Sequence, residues 1–469
     1  GGLMPLILPG NVASATASTG YDVDNSCRFN DDDSPQLQKG MSAGNPDVWT
    51  FSTWVKRCSL KGAIGQTLFA AEVDGNNGTW ILFDQYEKLR VGNLVSGSWQ
   101  GLYQTNRLWR DLSAWYHVVV LWNTASGTAG ERIRLWVNGI EETAFSTETN
   151  PDQNQNSWAN QTDTTAYFRH GYNAGYGVYS DFYQAETVFI DGTVYAASDF
   201  GEFDEDSPTI WKPKDVSGLT FGTNGYYLDF EDSANLGNDA NGGTDFTETN
   251  LAAIDQATDT PTNNFATANP LSGNAEAFAQ GNLHITDRAA TDASYGACST
   301  IGLIKGKWFV EYKCVAAGSA MWVGLLIAGG EMSIAGDFYS STGTLLYRNN
   351  ATKQVYPASA TSYGDSWTDD DIIGMAVDMD NLDVYFYKNG TIQNSGTAAF
   401  TSSDFTTGTF YFPMQAGYNT GVAEYNFGGC NVSAISSGNA DANGYGNFEY
   451  AVPSGYYAIC TKNLAEFGG

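Results

Sequence analysis

The sequence predicts an all-β protein built from two antiparallel β-sandwich (jelly-roll) domains in tandem. Its 469 residues exceed what one hydrophobic core usually organises, because domains commonly contain roughly 100–200 residues. Aromatic residues make up 14% of the chain, and 53 glycines accompany them, which favours short strands joined by polar turns. A strand that ends in Asn-Gly occurs twice, at residues 133–140 and 383–391, and indicates a β-hairpin in each domain.

We place the first domain at residues 21–251. In VWTFSTWVKR, Trp49, Phe51 and Val55 share one parity while Trp54 faces the other way, as in a strand covered on one face and partly on the other. Further strands follow at a spacing typical of sandwiches and barrels. They are TLFAAEV, WILFDQY, KLRVGNL, WYHVVVLWN, RIRLWVNGI and AYFRHGY.

The second domain is expected at residues 274–430 and again contains short strands separated by turns. In DVYFYKNGT, Val384 and Phe386 lie on one face and Tyr385 and Tyr387 on the other, before Asn389-Gly390 reverses the chain. The other predicted strands are GNLHIT, KGKWFVEYKC, MWVGLLIA, TLLYRNN, DIIGMAVDMD, TFYFPMQAG and GVAEYNFG.

Three further segments complete the predicted organisation. Residues 252–273 lie in a stretch rich in Asn, Thr, Asp and Ala with little to bury, so we expect a linker there. Residues 431–469 are a C-terminal extension. Residues 1–20 are an N-terminal segment whose apolar MPLILPG is a candidate docking strand for a partner, with a plain ordered terminus as the alternative.

Charge and hydropathy exclude several function classes. With 52 acidic and 22 basic residues, the net charge is −30 and no basic run offers a surface for nucleic acid. No apolar run approaches the roughly 20 residues of a membrane helix, so we expect a soluble protein without membrane insertion. The six cysteines form no CxxC pair, which favours buried thiols, with a Cys298–Cys314 bridge as the alternative.

Long stretches of the chain resemble structural proteins of tailed bacteriophages. SCRFNDDDSPQL, WTFSTWVKR, WYHVVVLWN and IRLWVNGI resemble the laminin-G-like, concanavalin-type sandwich found in many of them. FIDGTVYAASDFGEFDEDSPTIWKPKDVSG, FGTNGYYLDFEDSANLGNDANG and DQATDTPTNNFATANPL are also similar to phage proteins of that class. From GKWFVEYKC to YFPMQAG the chain resembles a SPRY domain, and VPSGYYAICTKNL resembles a segment that follows such domains in phage fibres.

The resemblance implies a component of the virion surface, a tail fibre or another host-facing appendage. Its expected partners are other virion proteins and a host-surface glycan or receptor, and fibres imply a homo-oligomer, with a trimer as the leading candidate. Two alternatives stay open. One is a capsid-surface decoration or head-fibre protein without receptor activity, and the other is a secreted glycan-binding or polysaccharide-degrading protein.

Catalytic residues are not expected. Glu202, Asp204 and Asp206 alternate as in retaining glycosidases on a similar sandwich, which need two carboxyl groups about 5–5.5 Å apart. Here Ser207-Pro208 follows at once, so the segment is typical of a solvated turn. The three histidines are far apart, and no GxSxG frames a nucleophile, so we expect no enzymatic activity.

No cofactor is expected either, and structural Ca²⁺ is the alternative interpretation of three acidic stretches. These stretches, NDDDSP at 30–35, 229–241 and DMDNLD at 378–383, offer clustered oxygen ligands, but none has the spacing of an EF-hand. Asp and Asn also occupy turns by bonding to their own backbone.

Aromatic loops are the candidate binding sites. In YFRHGYNAGYGVYSDFYQAE, Tyr172, Tyr176 and Tyr179 lie among glycines, where rings stay exposed and stack on sugar faces. Trp158 lies in another polar loop and is a further candidate. Packing of these rings against a neighbouring subunit is the alternative.

The resemblance to SPRY domains adds candidates in the second domain, because members of that family usually bind partners through loops at one end of the sandwich. These candidates are Tyr347 and Trp367, with Tyr363 beside them. A local cap on the core is the alternative for Trp367.

Overall fold

A computed structural model describes residues 20–60, 65–161, 165–273, 275–289, 294–329, 338 and 340–468. The described residues form two compact units. The first sandwich contains those of 17–256 and 260–262, and the second contains those of 257–259 and 263–469. Both are built almost entirely from antiparallel strands, which confirms the predicted fold class. The predicted docking strand in residues 1–20 lies outside the described residues, apart from Gly20.

The first sandwich consists of two extended sheets and two short hairpins. Its strands are β1 (Ser26–Phe29), β2 (Gln36–Gly40), β3 (Val48–Arg57), β4 (Gln66–Asp74), β5 (Asn77–Phe83), β6 (Lys88–Val95), β7 (Ser98–Leu108), β8 (Trp115–Asn123), β9 (Ile133–Val137), β10 (Ile140–Glu141), β11 (Phe145–Thr149), β12 (Tyr167–His170), β13 (Tyr172–Asn173), β14 (Val178–Tyr179), β15 (Phe182–Asp191), β16 (Gly201–Phe203), β17 (Trp211–Pro213), β18 (Tyr226–Leu228), β19 (Thr247–Thr249) and β20 (Gln256–Ala257).

One sheet has the order β10-β9-β8-β3-β15-β1-β20, with β18 also paired to β15, and the other has the order β11-β7-β6-β5-β4-β12-β2-β19. The core between them is aromatic. Trp49 stacks on Trp122 with ring centroids 5.9 Å apart, and Phe69 stacks on Phe189 at 5.5 Å. Burial of such rings dominates the stability of a sandwich because each removes a large apolar area from water.

The side-chain alternation predicted for the first domain is confirmed. Trp49, Phe51 and Val55 lie in the core, whereas Trp54 lies on the opposite face of β3 and stacks on His117 at 4.7 Å. Strand β9 likewise buries its alternate residues in the same core. Period-two alternation therefore identified the residues of both strands that face this core, although the opposite face of β3 is buried as well.

Both Asn-Gly turns have the same structure. Asn138 and Gly139 have φ of 49° and 73°, and Asn389 and Gly390 have 49° and 76°, as type I′ hairpins require. Each asparagine side chain also accepts a hydrogen bond from the neighbouring strand. His117 N donates to Asn138 Oδ1 at 2.7 Å, and the equivalent bond to Asn389 Oδ1 is 2.8 Å.

The second sandwich contains the remaining strands and the one α-helix found among the described residues. Its elements are β21 (Ala268–Gly273), β22 (Ala277–Ala279), β23 (His284–Thr286), β24 (Tyr295–Ser299), β25 (Lys307–Ala316), β26 (Ala320–Ile327), β27 (Leu345–Arg348), β28 (Thr352–Val355), β29 (Thr361–Ser362), β30 (Ile372–Asp378), β31 (Asp383–Lys388), β32 (Thr391–Ile392), β33 (Tyr411–Tyr418), β34 (Val422–Asn426), β35 (Tyr457–Ala458) and α1 (Thr461–Phe467).

These strands also form two sheets, in the orders β21-β24-β33-β26-β27-β28-β29 and β22-β23-β34-β25-β30-β31-β32. Strand β35 adds to β25 in parallel, through the pairs Trp308–Tyr457 and Phe309–Ala458. Tyr312 of β25 meets Tyr425 of β34 edge to face at 5.0 Å, and both rings are buried.

The structure differs from the sequence prediction at the linker and the C-terminal extension. Within 252–273, strand β21 pairs with β24 of the second sandwich, and Phe265 is buried in that unit. In the extension, Phe448 packs on Phe309 at 5.2 Å and lies in the same apolar cluster as Cys460. Residues 257–259, 263–273 and the extension therefore belong to the second sandwich, whereas 252–256 and 260–262 belong to the first. Scattered apolar residues between the Asn and Thr positions are enough to bury these segments.

The cysteines and the hydropathy of the described residues agree with the first interpretation of the sequence. All six cysteines are buried thiols outside any disulfide, so the alternative Cys298–Cys314 bridge is not formed. Among the helices that the structure describes, none has the length and apolar character needed to cross a membrane.

Candidate functional site

The candidate site lies on the outer face of the β4–β7 region of the first sandwich. Val91 of β6 and Ile81 of β5 point into the core, so the alternate residues Trp80, Arg90 and Gly92 point away from it. We call this surface the outer sheet face and define it by Trp80, Arg90, Trp99 and the loop 172–179.

Because Gly92 has no side chain, the large Trp99 ring can lie flat on the sheet. A Cβ at Gly92 would come within 2.5 Å of Trp99 Cζ3, so the indole occupies the space above the strand. The rings of Trp80 and Trp99 meet edge to face at 6.1 Å. The Arg90 guanidinium lies over the Trp99 ring, 4.5 Å from its centroid, which is within the range of a cation–π interaction.

The loop 172–179 folds over this face and is held by a buried carboxylate. Glu72 Oε1 accepts a hydrogen bond from Ala174 N at 2.6 Å, and Glu72 Oε2 accepts one from Trp80 Nε1 at 2.7 Å. Burial raises the pKa of Glu72. The loop is therefore anchored at its centre by a polar contact, which orients the tyrosines on either side of the anchor.

Of the predicted aromatic residues, three come together in this loop. Tyr172 and Tyr179 pair across β13 and β14, and their half-buried rings stack at 4.4 Å. Tyr176 at the tip is 48% exposed, and its ring lies 6.3 Å from that of Trp80. Trp80 itself is 2% exposed, so the accessible part of this surface consists of exposed Tyr176 and the partly buried Trp99 and Arg90, which provide apolar area edged with hydrogen-bond donors.

Trp158 does not belong to this surface. Its ring is partly buried against the core, and its Nε1 donates to Leu94 O at 2.8 Å. Its backbone N donates to Thr79 Oγ1 at 2.9 Å. The prediction of an exposed binding ring at Trp158 is wrong, because the polar loop that carries it is bonded to the sheet on both sides.

The candidates in the second domain are also buried. Tyr347 is 0% exposed and Trp367 is 3% exposed, and their ring centroids are 6.1 Å apart. The Tyr347 hydroxyl donates to Asp365 O at 2.5 Å, and Tyr363 packs edge to face on the Tyr347 ring. These rings cannot contact a ligand at the surface, because the loop at 363–367 caps the core, as the alternative interpretation of Trp367 proposed.

Sequence reasoning missed Arg90 and Trp99, which complete the outer sheet face. Trp99 is the second residue of β7, close to a tight turn, and it reaches Arg90 only because β6 and β7 pair with Leu94 opposite Trp99. The available signal was the glycine at position 92 in an otherwise bulky strand, since such glycines mark close approach of another group.

Of the three alternating acids, Glu202 and Asp204 have carboxylates that make contacts within their own hairpin. Asp204 Oδ1 accepts hydrogen bonds from Asp206 N at 3.0 Å and Ser207 N at 2.8 Å, as expected of a turn. Lys212 Nζ lies 3.6 Å from Glu202 and 3.3 Å from Asp204. The chemistry of this hairpin is that of a charged turn.

His117 occupies a buried aromatic stack. It lies between Trp54 and Trp211, whose Nε1 donates to His117 Nδ1 at 2.9 Å. Burial lowers the pKa of His117 to about 3, so the ring is neutral and acts as a hydrogen-bond acceptor in the stack.

The acidic stretches considered for Ca²⁺ bond largely to their own turns. Asp378 accepts hydrogen bonds from Asp380 N and Asn381 N and pairs with Lys307 at 2.8 Å. Asp239 accepts a hydrogen bond from Asn241 N of its own turn at 3.2 Å, and it also accepts one from Tyr227 N and pairs with Lys39 at 3.1 Å. Within the described ranges, no group of three or more His, Cys, Asp or Glu side chains is placed to hold a metal ion.

The second sandwich contains a cavity of about 280 Å³ between its sheet and the segment 431–449. Glu311 Oε2 accepts hydrogen bonds from Asn426 Nδ2 at 3.1 Å and Glu449 N at 2.9 Å, and burial raises the pKa of Glu311 to about 7. Lys313 Nζ donates to Ser433 Oγ at 2.9 Å. The polar groups of Glu311 and Lys313 are thus already hydrogen-bonded within the protein. The outer sheet face is therefore the stronger candidate for a ligand-binding site.

The sheets define an all-β protein built from two antiparallel sandwiches. Residues 30–198 match the Laminin_G_3 family, described as the concanavalin A-like lectin/glucanases superfamily. Residues 307–429 match the SPRY domain family. The chain therefore carries these two domains in tandem, as the sequence resemblance implied. No curated protein matches the chain.

Several solved structures are similar to parts of the chain. The SPRY domain of human HERC1 is 17% identical, with 32% of this chain and 90% of that one covered and a TM-score of 0.24. A candidate carbohydrate-binding protein from Bacteroides ovatus is 13% identical, with coverage of 49% and 59% and a TM-score of 0.35. A heptameric SAP-like pentraxin from Limulus polyphemus is 14% identical, with coverage of 38% and 80% and a TM-score of 0.26. At these values nothing about ligands follows from the likeness.

Proposed function

We propose that this protein is a non-enzymatic glycan-binding component of a tailed-bacteriophage virion, located on the particle surface in a tail fibre or another host-facing appendage. The observation that carries the binding role is the outer sheet face of the concanavalin-like sandwich, where the half-buried Trp99 ring lies against Arg90 and buried Trp80 links it to exposed Tyr176. Sugar rings stack on such aromatic faces, and polar groups at the edge fix their orientation.

The virion role is supported by the long phage-like segments of the sequence, such as FGTNGYYLDFEDSANLGNDANG. Its proposed partners are a host-surface glycan and other virion proteins, and it forms a homo-oligomer, with a trimer as the leading candidate. An oligomer raises avidity, because each added copy of a weak site binds at high effective concentration. No cofactor is required by this proposal.

The binding role is tested by measuring the affinity of the purified chain for an array of neutral and acidic bacterial-surface oligosaccharides. We expect Tyr176→Ala and Trp99→Ala to weaken binding about tenfold or more, which corresponds to roughly 1.4 kcal/mol. Ile140→Ala is the control, because Ile140 is 54% exposed on an edge strand of the opposite sheet. Equal affinities for all variants would refute the assignment of the site.

The location is tested by electron microscopy of phage particles labelled with an antibody against this chain. Label at the distal tail supports the host-facing appendage, whereas label over the capsid favours a decoration protein. Particles without label would favour a secreted glycan-binding protein. Release of reducing sugar from a bound glycan would contradict the proposal that the protein is not an enzyme.

A further inference from the structure

Arg90 differs from the other stacked arginines of the first sandwich. Four arginines of that unit lie over aromatic rings and also pair with a glutamate: Arg57 with Glu87 at 2.6 Å, Arg107 with Glu142 at 3.3 Å, Arg134 with Glu141 at 2.7 Å, and Arg169 with Glu72 at 3.8 Å. Among the residues that the structure describes, no acidic side chain lies within ion-pairing distance of Arg90, and its guanidinium donates no hydrogen bond to the protein.

Asp84 is the acidic residue whose charge acts on Arg90, but both of its carboxylate oxygens accept hydrogen bonds from other residues. Asp84 Oδ1 accepts hydrogen bonds from Tyr86 N at 2.8 Å and Lys88 N at 3.0 Å, and Asp84 Oδ2 accepts one from the side chain of Gln104. These bonds close the turn between β5 and β6. Asp84 therefore acts on Arg90 only at long range.

An arginine in this position carries a partly desolvated charge without a counter-charge. Burial lowers the pKa of Arg90, but a guanidinium stays protonated at any physiological pH. Taking such a charge out of water costs free energy, and an anion that forms two parallel hydrogen bonds with the guanidinium offsets that cost. The five donors of the guanidinium match the geometry of a carboxylate.

The surroundings of Arg90 indicate what kind of anion would fit. The Trp99 ring lies beneath the guanidinium, and exposed Tyr176 is on the same face, where its ring lies 6.3 Å from that of Trp80. A sugar ring placed against these aromatic rings would present a substituent to the guanidinium. Building on the proposed glycan-binding function, we propose that the outer sheet face selects acidic glycans, and that Arg90 is the specificity residue that binds the carboxylate of a uronic or sialic acid.

The net charge of −30 means that an acidic ligand needs a local positive site in order to bind. A protein with this charge repels polyanions in general, so an acidic oligosaccharide that binds it must meet a local positive site. Salt should weaken the interaction, because part of it is a contact between a half-exposed cation and an anion.

The test uses the full chain and a panel of uronate-containing and sialylated oligosaccharides, each paired with its carboxyl-reduced counterpart, with titration calorimetry as the readout. We expect at least one acidic member to bind at least tenfold more tightly than its neutral counterpart. In Arg90→Gln this ratio should fall close to one, because the affinity for the acidic member should fall much more than the affinity for its neutral counterpart. Arg134→Gln is the matched control, because Arg134 also lies over a tryptophan, at 4.7 Å, but is paired with Glu141.

The possible outcomes show whether the inference fails alone or together with the proposed function. If the wild type binds oligosaccharides without preferring the acidic member of any pair, the selection of acidic glycans is overturned and glycan binding stands. If the preference survives in Arg90→Gln, the role of Arg90 is overturned. If no member of any pair binds, the inference and the glycan-binding function both fail. A sulfated oligosaccharide that binds in an Arg90-dependent way while no carboxylate does would overturn the assignment to carboxylate sugars.

Discussion

Glu186 offers a direct test of the packing of the first sandwich, because a carboxyl group is enclosed there without a cation. It lies at an irregularity of β15 with φ of 48°, and it is 5% exposed. The Tyr227 hydroxyl donates to Glu186 at 2.8 Å and itself lies 3.0 Å from the Tyr21 hydroxyl. Burial, followed by the nearby charges of Asp229 and Glu231, raises the pKa of Glu186 from 4.5 to about 8.

This pKa makes the free energy of unfolding depend on pH. Between pH 4.5 and 8 the folded protein holds a proton that the unfolded chain releases, so stability falls as pH rises through that window. At about 1.4 kcal/mol for each tenfold change in proton affinity, the full change is about 4–5 kcal/mol. The variant Glu186→Gln keeps the shape of the side chain and cannot ionise. We therefore expect it to be more stable than the wild type at pH 9 and to lose that advantage at pH 4.

The assay is denaturant unfolding followed by tryptophan fluorescence between pH 4 and pH 9. Ten of the 13 tryptophans precede residue 257, so fluorescence reports mainly on the first sandwich. The control is Glu202→Gln, because Glu202 is about half exposed on a hairpin of the same unit. Parallel pH profiles for the wild type and Glu186→Gln would refute the reasoning, since they would mean that Glu186 titrates alike in both states.

Three further predictions concern the Trp99 ring, the buried Tyr347 ring and the need for metal ions. Gly92→Ala should displace the Trp99 ring and weaken glycan binding about tenfold, while circular dichroism shows that the β structure is retained. The control is Gly127→Ala, which should bind glycan as the wild type does because there is open space around Gly127. Tyr347→Ala should lower the free energy of unfolding of the second sandwich by about 3–5 kcal/mol, measured by denaturant unfolding, because the Tyr347 ring is buried. If Tyr347→Ala lowered it less than Tyr347→Phe does, the burial of the ring would be contradicted. EDTA should leave the melting temperature unchanged, and an increase of several degrees with added CaCl₂ would contradict the proposal that no ion is required.

The candidate site was partly predictable from sequence. The glycines around Tyr176 indicated a loop with exposed rings, and the structure places Tyr176 at its tip. The same reasoning failed for Tyr347 and Trp367, which also lie near Gly, Asn and Asp but are buried. Polar neighbours indicate a turn, whereas the burial of a ring in that turn depends on whether the turn folds back over a sheet.

What the sequence alone determined is local. Alternation in β3 and β9 defined their two faces, and each Asn-Gly pair defined a type I′ turn, because side-chain period and positive φ are properties of a few neighbouring residues. Tertiary structure decided the rest. It inserted β3 between β8 and β15, and it brought Trp99 over Arg90 through the register of β6 and β7. Such pairings depend on contacts between distant segments, and the exposed face of a sheet is whichever one the remainder of the chain leaves uncovered.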